Sequence, residues 1–425
     1  NHNGSHADIR LENTYRGFTD TLSTESLPGF LQSDQNLHTC YIGGFGGRHS
    51  SWTYYAGFRE IHDTGMGGLE SAEHVTPTVM QWLKQNGIKD DWYLHINFWD
   101  PHTPYRAPNE FGNPFQKDPL PEWFTEEVIR DHMQLPGPHT IQDINMYDDK
   151  EDPRFPRQPG HVTNMAEMRR LIDGYDCGIG YVDLHIGRIL DALDSYGILE
   201  DMIIIVSADH GENFGEMGMY AEHGTADMYC CKVPMIIRWP GKIASNINDH
   251  HLHYQLDLLP TLADMLNTES CGSWDGKSFS QALTAPNTYD SNLHRDYLVL
   301  SQCAHGCQRS VRWDNWLFLK TWHDGYHGFN PEMLFNLQID PHEQHNIIHD
   351  YPEIAAHGRN LYANWYQKMM SSMPFGYCTD PLETVLREIP CHCQYDMHLY
   401  ETRLRTTGRG NMVDMIRNRH PEQFI

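Results

Sequence analysis

Three short apolar bursts stand out along the chain, at residues 92–99 (WYLHINFW), 202–208 (MIIIVSA) and 233–239 (VPMIIRW). Runs this short, rich in aromatic and β-branched residues, predict strands of a parallel sheet covered on both faces, where in–out alternation is lost. Helical periods lie between them. Thr76-Pro77 reads as a cap and first-turn proline, Val79, Trp82 and Leu83 share a face, and Gly87 closes the segment. The strongest helix is predicted over residues 165–199, where Leu171, Tyr175, Ile179, Val182, Ile186 and Ile189 recur at spacings of three and four. A helix feeding a strand is the repeating unit of a parallel sheet flanked by helices.

Residues 101–159 are rich in Pro, Asn, Asp and Gly and read as a long loop excursion of the kind that shapes a substrate cleft. Beyond residue 285 the pattern changes to short β-like segments at 297–301, 310–313, 316–321 and 333–337, followed by an amphipathic helix with Ile354, Leu361, Trp365 and Met369 on one face. The expected fold class is therefore α/β. It combines a mostly parallel, helix-flanked sheet in residues 1–285 with a smaller antiparallel sheet plus helix in residues 286–425.

Composition narrows this picture. A chain of 425 residues can bury a large core without disulfides. Its formal net charge of −26 repels polyanions, which argues against nucleic acid or an anionic membrane as partner. Mean hydropathy is −0.60 and no apolar run approaches the roughly 18 residues of a membrane span, so a soluble chain is expected. An anionic substrate would need a locally positive pocket, and 28 histidines could build one. The ten cysteines lack the dense spacing of a disulfide scaffold and favour a reducing, cytoplasmic compartment. Cys303-x3-Cys307 and Cys391-x-Cys393 could gather a structural zinc, although packed thiols are the default. The opening NHNGSHADIRLENTYRGF has no initiating methionine, no basic-then-apolar leader and no strand pattern, which predicts a chain cut ahead of Asn1 and hides any targeting signal.

Ligands of open parallel sheets bind beyond the carboxyl ends of the strands. Two such ends carry candidate chemistry: Asp209-His210-Gly211-Glu212 after residues 202–208, and Asp100-Pro101-His102-Thr103-Pro104-Tyr105 after residues 92–99. An Asp-His pair can turn a carboxylate and an imidazole towards one cation, with Gly211 letting the backbone turn away. Taken alone, the same residues read equally well as a helix cap and a packed histidine.

The longer pattern changes the balance. Residues 206–241 (VSADHGENFGEMGMYAEHGTADMYCCKVPMIIRWPG) resemble a block of the sulfatases, members of the alkaline phosphatase superfamily. Asp-Pro-His-x-Pro-Tyr at 100–105, QLDLLPTL at 255–262 and LFNLQIDPHEQHN at 334–346 resemble further blocks in the same order. The resemblance spans roughly residues 26–370 and implies hydrolysis of sulfate esters, sulfated carbohydrates among them. It implies Asp209 and His210 as metal ligands and His102 as the histidine at the sulfate or leaving-group oxygen. His223 falls where many relatives carry a sulfate-contacting lysine, and Glu222 beside it could raise its pKa. Arg48-His49 resembles the Gly-Lys-x-His that steadies the nucleophile and binds substrate, with a spacing one residue shorter. The implied cofactor is a divalent cation, calcium first, with manganese or zinc as alternatives that an imidazole ligand favours.

Family sulfatases also use a formylglycine made from Cys/Ser-x-Pro-x-Arg and an Asp-Asp pair from the first strand; the first motif does not occur in these 425 residues, and no Asp-Asp pair follows an opening strand. Ser372-Met373-Pro374-Phe375-Gly376 lacks the arginine. A formylglycine in a preceding segment is expected, with a maturation enzyme that installs it, and the 425 residues alone are expected to be inactive. Two rival readings stay open. One is a phosphodiesterase or phosphonate monoester hydrolase of the same superfamily, and the other a non-enzymatic glycan binder.

Overall fold

Leu27–Ser33 (α1), capped by Ser26 Oγ accepting from the Gly29 amide, leads into His38–Ile42 (β1). β1 runs parallel to Glu60–His62 (β2) on one side and Trp92–Ile96 (β3) on the other, so Cys40 lies opposite both Glu60 and Leu94. The fold is that of a computed structural model, which describes residues 25–45, 52–269, 274–286, 294–372 and 380–424. Thr39, Cys40, Tyr41 and Ile42 are all buried, which explains the absence of alternation in this central strand.

The helix Ala72–Asn86 (α2) starts five residues earlier than the sequence suggests, with Ser71 and not Thr76 before its first residue. Ser71 is its cap, Asp100 Oδ2 accepts the Ala72 amide at 2.8 Å, and Pro77 lies inside the helix. Burial of Val75, Val79, Trp82 and Leu83 against β1 outweighs the lost proline hydrogen bond. Glu126–His132 (α3) follows, and then Met165–Ser195 (α4), close to the expected span, with Asn164 accepting from Ala166 and Glu167. The buried face of α4 differs from the expected stripe. Ile179 is exposed, whereas Gly174 and Gly178 are buried. A Cβ at Gly178 would meet Pro101 at 2.9 Å and one at Gly174 the Arg157 carbonyl at 2.7 Å. These glycines let the excursion lie directly on the helix, a packing signal that a count of apolar residues misses.

The excursion itself is packed. Tyr105, Phe124, Ile129, Ile141 and Ile144 form a core with Met168 and Leu171 of α4. The apolar runs at 202–208 and 233–239 do form strands, Ile204–Ser207 (β4) and Met235–Arg238 (β7), but these pair with each other antiparallel. Apolar content carries no information on strand direction, and β4 and β7 are half-buried to exposed rather than covered on both faces, with Ile236 63% exposed. Between them, Asn213–Phe214 (β5) and Tyr220–Glu222 (β6) make a short antiparallel pair.

The C-terminal elements form where expected. Tyr297–Gln302 (β8), Cys307–Trp313 (β9), Trp316–His323 (β10) and Glu332–Asn336 (β11) build an antiparallel sheet in the order β11-β10-β9-β8. Pro352–Ser371 (α5) covers it with Ile354, Leu361 and Trp365. The tail, Met397–Thr406 (α6) and Asn411–Arg419 (α7), packs Met397, Tyr400, Leu404, Val413 and Ile416 against Tyr147 and Tyr326. Among the described residues no helix is long and apolar enough to cross a membrane.

Candidate active site

The segments that follow β3 and β4 converge with the one that follows β6. The rings of His210 and His223 stack at 3.6 Å between centroids, and His102 stands edge-on to both at 5.5 and 5.4 Å. One nitrogen of each of the three lies within 4.8 Å of the others. Thus His102, from one quoted motif, and His210 and His223, from another, share one site, with Asp209 at its mouth. Arg48 and His49 lie outside the described residues.

Local backbone sets each ring. A Cβ on Gly211 would fall 1.8 Å from the Tyr229 carbonyl oxygen, while the Gly211 amide donates to Cys230 O at 2.8 Å. Only glycine permits this approach, which turns the chain after His210. Gly211→Ala is expected to destabilise the protein by about 2–3 kcal/mol through overpacking, checked by urea unfolding; an unchanged midpoint would contradict the packing described. His102 is held by Nδ1 against Thr103 O at 2.5 Å, and Arg106 Nη2 donates to the carbonyls of His102 and Thr103.

Hydrogen bonding fixes which nitrogens face the gap. His210 Nδ1 bonds the Gly211 carbonyl at 2.8 Å, so it carries the proton and Nε2 presents a lone pair. Asp209 Oδ1 lies 3.7 Å from that Nε2, too far for a hydrogen bond. A carboxylate oxygen and an imidazole lone pair facing one gap, with the imidazole braced from behind by a carbonyl, fit a divalent cation. Asp209 and His210 would give such an ion two of the donors it needs.

Charge is unevenly divided among the three rings. Burial disfavours an imidazolium at His223, but Glu222 Oε1 lies 2.7 Å from its Nδ1, and the carboxylate lifts the group to about 9. The oxygen approaches off the N–H axis, so the contact is an ion pair and not an aligned hydrogen bond. Burial would raise Glu222 as well, yet the charge on His223 holds it well below the usual carboxylate range. Burial, reinforced by the charge on His223, pushes His102 down to about 4. The site therefore presents one cation and two neutral imidazoles near pH 7.

Three further residues join the site without having been singled out from sequence. Tyr105 donates its hydroxyl to Glu212 Oε1 at 2.6 Å, tying the two strand-end motifs together, and burial raises Glu212 to about 8. Gln302, at the end of β8, donates to the His223 carbonyl at 2.6 Å, so the C-terminal sheet helps to set that loop. Tyr105 and Glu212 lay inside the quoted motifs, whereas nothing in the sequence marked Gln302.

With this geometry in view, comparison with known proteins is informative. The family model described as Sulfatase matches residues 5–268, more than half of the chain, and a model described as N-sulphoglucosamine sulphohydrolase, C-terminal, matches residues 215–368. A choline-sulfatase of Rhizobium meliloti (strain 1021) is 28% identical over 323 residues, covering 71% of this chain and 56% of that protein. The chain thus spans little more than half the length of that relative. Among solved structures, a protein bound to its substrate D-glucosamine-2-N,6-O-disulfate superposes with a TM-score of 0.63 at 16% identity, covering 88% of this chain and 89% of the other. A phosphonate monoester hydrolase from Silicibacter pomeroyi gives 0.62 at 19% identity, covering 83% and 81%. These two likenesses establish the alkaline phosphatase-like fold.

Proposed function

The chain belongs to the sulfatase family, and we propose that it supplies the substrate pocket and part of the metal site of an enzyme that hydrolyses sulfate esters, with sulfated carbohydrates as the substrate class. The observation that carries this reading is the convergence of one cationic and two neutral imidazoles beside Asp209 at the strand ends. A sulfate group offers three anionic oxygens to such a pocket, and developing charge on them is what a fixed cation stabilises best. The carbohydrate assignment draws support from the disulfated glucosamine bound by the structural relative and from the sulphohydrolase-type C-terminal match.

Each residue has a distinct task. His223, kept charged by Glu222, faces the sulfate oxygens. His102 is neutral in the free protein, and the arriving anion favours its protonation at Nε2, from which it can give a proton to the departing alcohol oxygen. Asp209 and His210 would hold a divalent cation, with calcium first and manganese or zinc as alternatives, which when bound neutralises sulfate oxygens as a Lewis acid. Tyr105 and Glu212 lock the two strand-end loops in register.

The nucleophile is proposed to be a formylglycine contributed from outside these 425 residues, installed by a maturation enzyme. Among the slowest uncatalysed reactions, ester hydrolysis of this kind needs on the order of 20 kcal/mol of catalysis. General acid–base help supplies only about 3–5 kcal/mol of that. The site described supplies charge and protons but no activated nucleophile, so the 425 residues alone are proposed to be inactive.

The reading is tested with the formylglycine-bearing protein by comparing kcat/KM for 4-nitrophenyl sulfate and 4-nitrophenyl phenylphosphonate. A sulfate preference is expected. A preference for the phosphonate ester would replace it with the phosphonate hydrolase reading, for which the Silicibacter pomeroyi fold likeness is the supporting observation.

A further inference from the structure

Behind the active site, Glu222 has a second, unshared face. Its Oε1 pairs with His223, while its Oε2 points into a buried cluster and lies 3.4 Å from His139 Nε2 and 3.8 Å from His305 Nε2. Side-chain exposures of 9% for His139, 7% for Glu222 and 0% for His305 show that water does not bathe this cluster. His139 Nδ1 bonds the Ile144 carbonyl at 2.8 Å, so Nδ1 carries the proton and Nε2 presents a lone pair with no hydrogen-bond partner. A buried lone pair facing a carboxylate is unfavourable unless a cation lies between them.

The separations fit such a cation. Zinc bonds of about 2.0–2.1 Å place neighbouring tetrahedral ligand atoms roughly 3.3 Å apart. His392 Nδ1 hydrogen-bonds His305 Nε2 at 2.5 Å, closer than two zinc ligands sit, so it becomes the fourth ligand only by drawing back as the ion displaces the proton between the rings. The paired cysteine motifs of the sequence take part only as a frame. Cys393 Sγ bonds the His305 carbonyl and Cys391 Sγ the Ala304 carbonyl, so the histidines between the cysteines face the cluster instead. His139 also adopts the left-handed region, at φ 56°, a conformation that costs energy and that the fold nevertheless holds.

Two other groupings of potential ligands differ in this respect. Asp324 is already satisfied by Arg419 and His420, each at 2.7 Å, and Glu60 by His38, His62 and Trp82.

We propose that His139 Nε2, Glu222 Oε2, His305 Nε2 and His392 Nδ1 form a structural zinc site, separate from the Asp209–His210 pair. On binding, the proton between His305 and His392 moves to the outer nitrogen of its ring and both present lone pairs. The four ligands come from the excursion, β6, the β8–β9 loop and the C-terminal tail, so the ion staples together parts of the chain that are remote in sequence. It also braces the carboxylate that holds His223.

The test strips the protein with a chelator, reloads it with zinc chloride, desalts it and counts metal by mass spectrometry. The Asp209→Ala/His210→Ala protein is expected to keep one zinc per chain and to melt at a lower temperature once stripped. Adding His139→Gln and His305→Gln is expected to abolish that zinc. The proposal is overturned if the Asp209→Ala/His210→Ala protein holds no zinc, or if the zinc survives the added histidine substitutions. Should those substitutions prevent folding, the cobalt-loaded Asp209→Ala/His210→Ala protein decides. Intense visible bands of a tetrahedral ion support the site, and the weak spectrum of an octahedral ion overturns it.

Discussion

Replacing His223 with alanine is expected to lower kcat/KM for a sulfate ester by about 10²–10³, the usual cost of removing one preorganised group at developing charge. The loss should fall mainly on kcat, because the sulfate oxygens gain charge as the ester bond breaks. The physical basis is the Glu222 carboxylate 2.7 Å from the ring, which holds a buried imidazole in its charged form. His223→Lys places a cation in the same region and should recover part of the rate, whereas His223→Gln should not. A His223→Ala protein with undiminished kcat/KM would remove this ring from the site.

The second large effect concerns stability. Asp143 and Arg409 are both completely buried and meet at 2.7 Å, with Arg403 on the other carboxylate oxygen at 2.9 Å. Arg409 also bonds the Leu135 carbonyl, so the pair fastens the tail to the excursion that carries His139. Asp143→Ala leaves the Arg409 guanidinium charged in a dry interior and is expected to cost about 3–5 kcal/mol of unfolding free energy. Arg409→Met together with Asp143→Leu removes both charges and should cost far less. Urea unfolding of the two variants distinguishes them, and equal losses would mean that the buried charge is not the cause.

How far these features were legible in the sequence follows from what each signal encodes. The strand ends were readable because apolar runs marked the strands, although these are half-buried to exposed, and polar residues follow them directly; His102, Asp209 and His210 lie beside one another there. The C-terminal sheet was readable because four short β-like segments follow one another closely there. Strand direction was not, so β4 and β7 came as an antiparallel pair. The packed face of α4 was misread at Ile179 because contact there runs through Gly174 and Gly178, where a missing side chain is the signal. The grouping of His139, Glu222, His305 and His392 could not be foreseen, since it depends on four segments meeting in space. Cys391 and Cys393 lie beside this grouping, with their thiols bonded to the carbonyls of Ala304 and His305.

The pocket and the missing nucleophile make one claim together: these residues bind and polarise a sulfate ester, and cleavage needs a group that they lack. Release of inorganic sulfate from 4-nitrophenyl sulfate tests it most directly, measured by ion chromatography on two proteins. One is the 425-residue chain alone, and the other is the same chain joined to a segment bearing a matured Cys/Ser-x-Pro-x-Arg motif. The account predicts no release from the first and multiple turnovers from the second, abolished by Asp209→Ala/His210→Ala. Turnover by the 425 residues alone would contradict it.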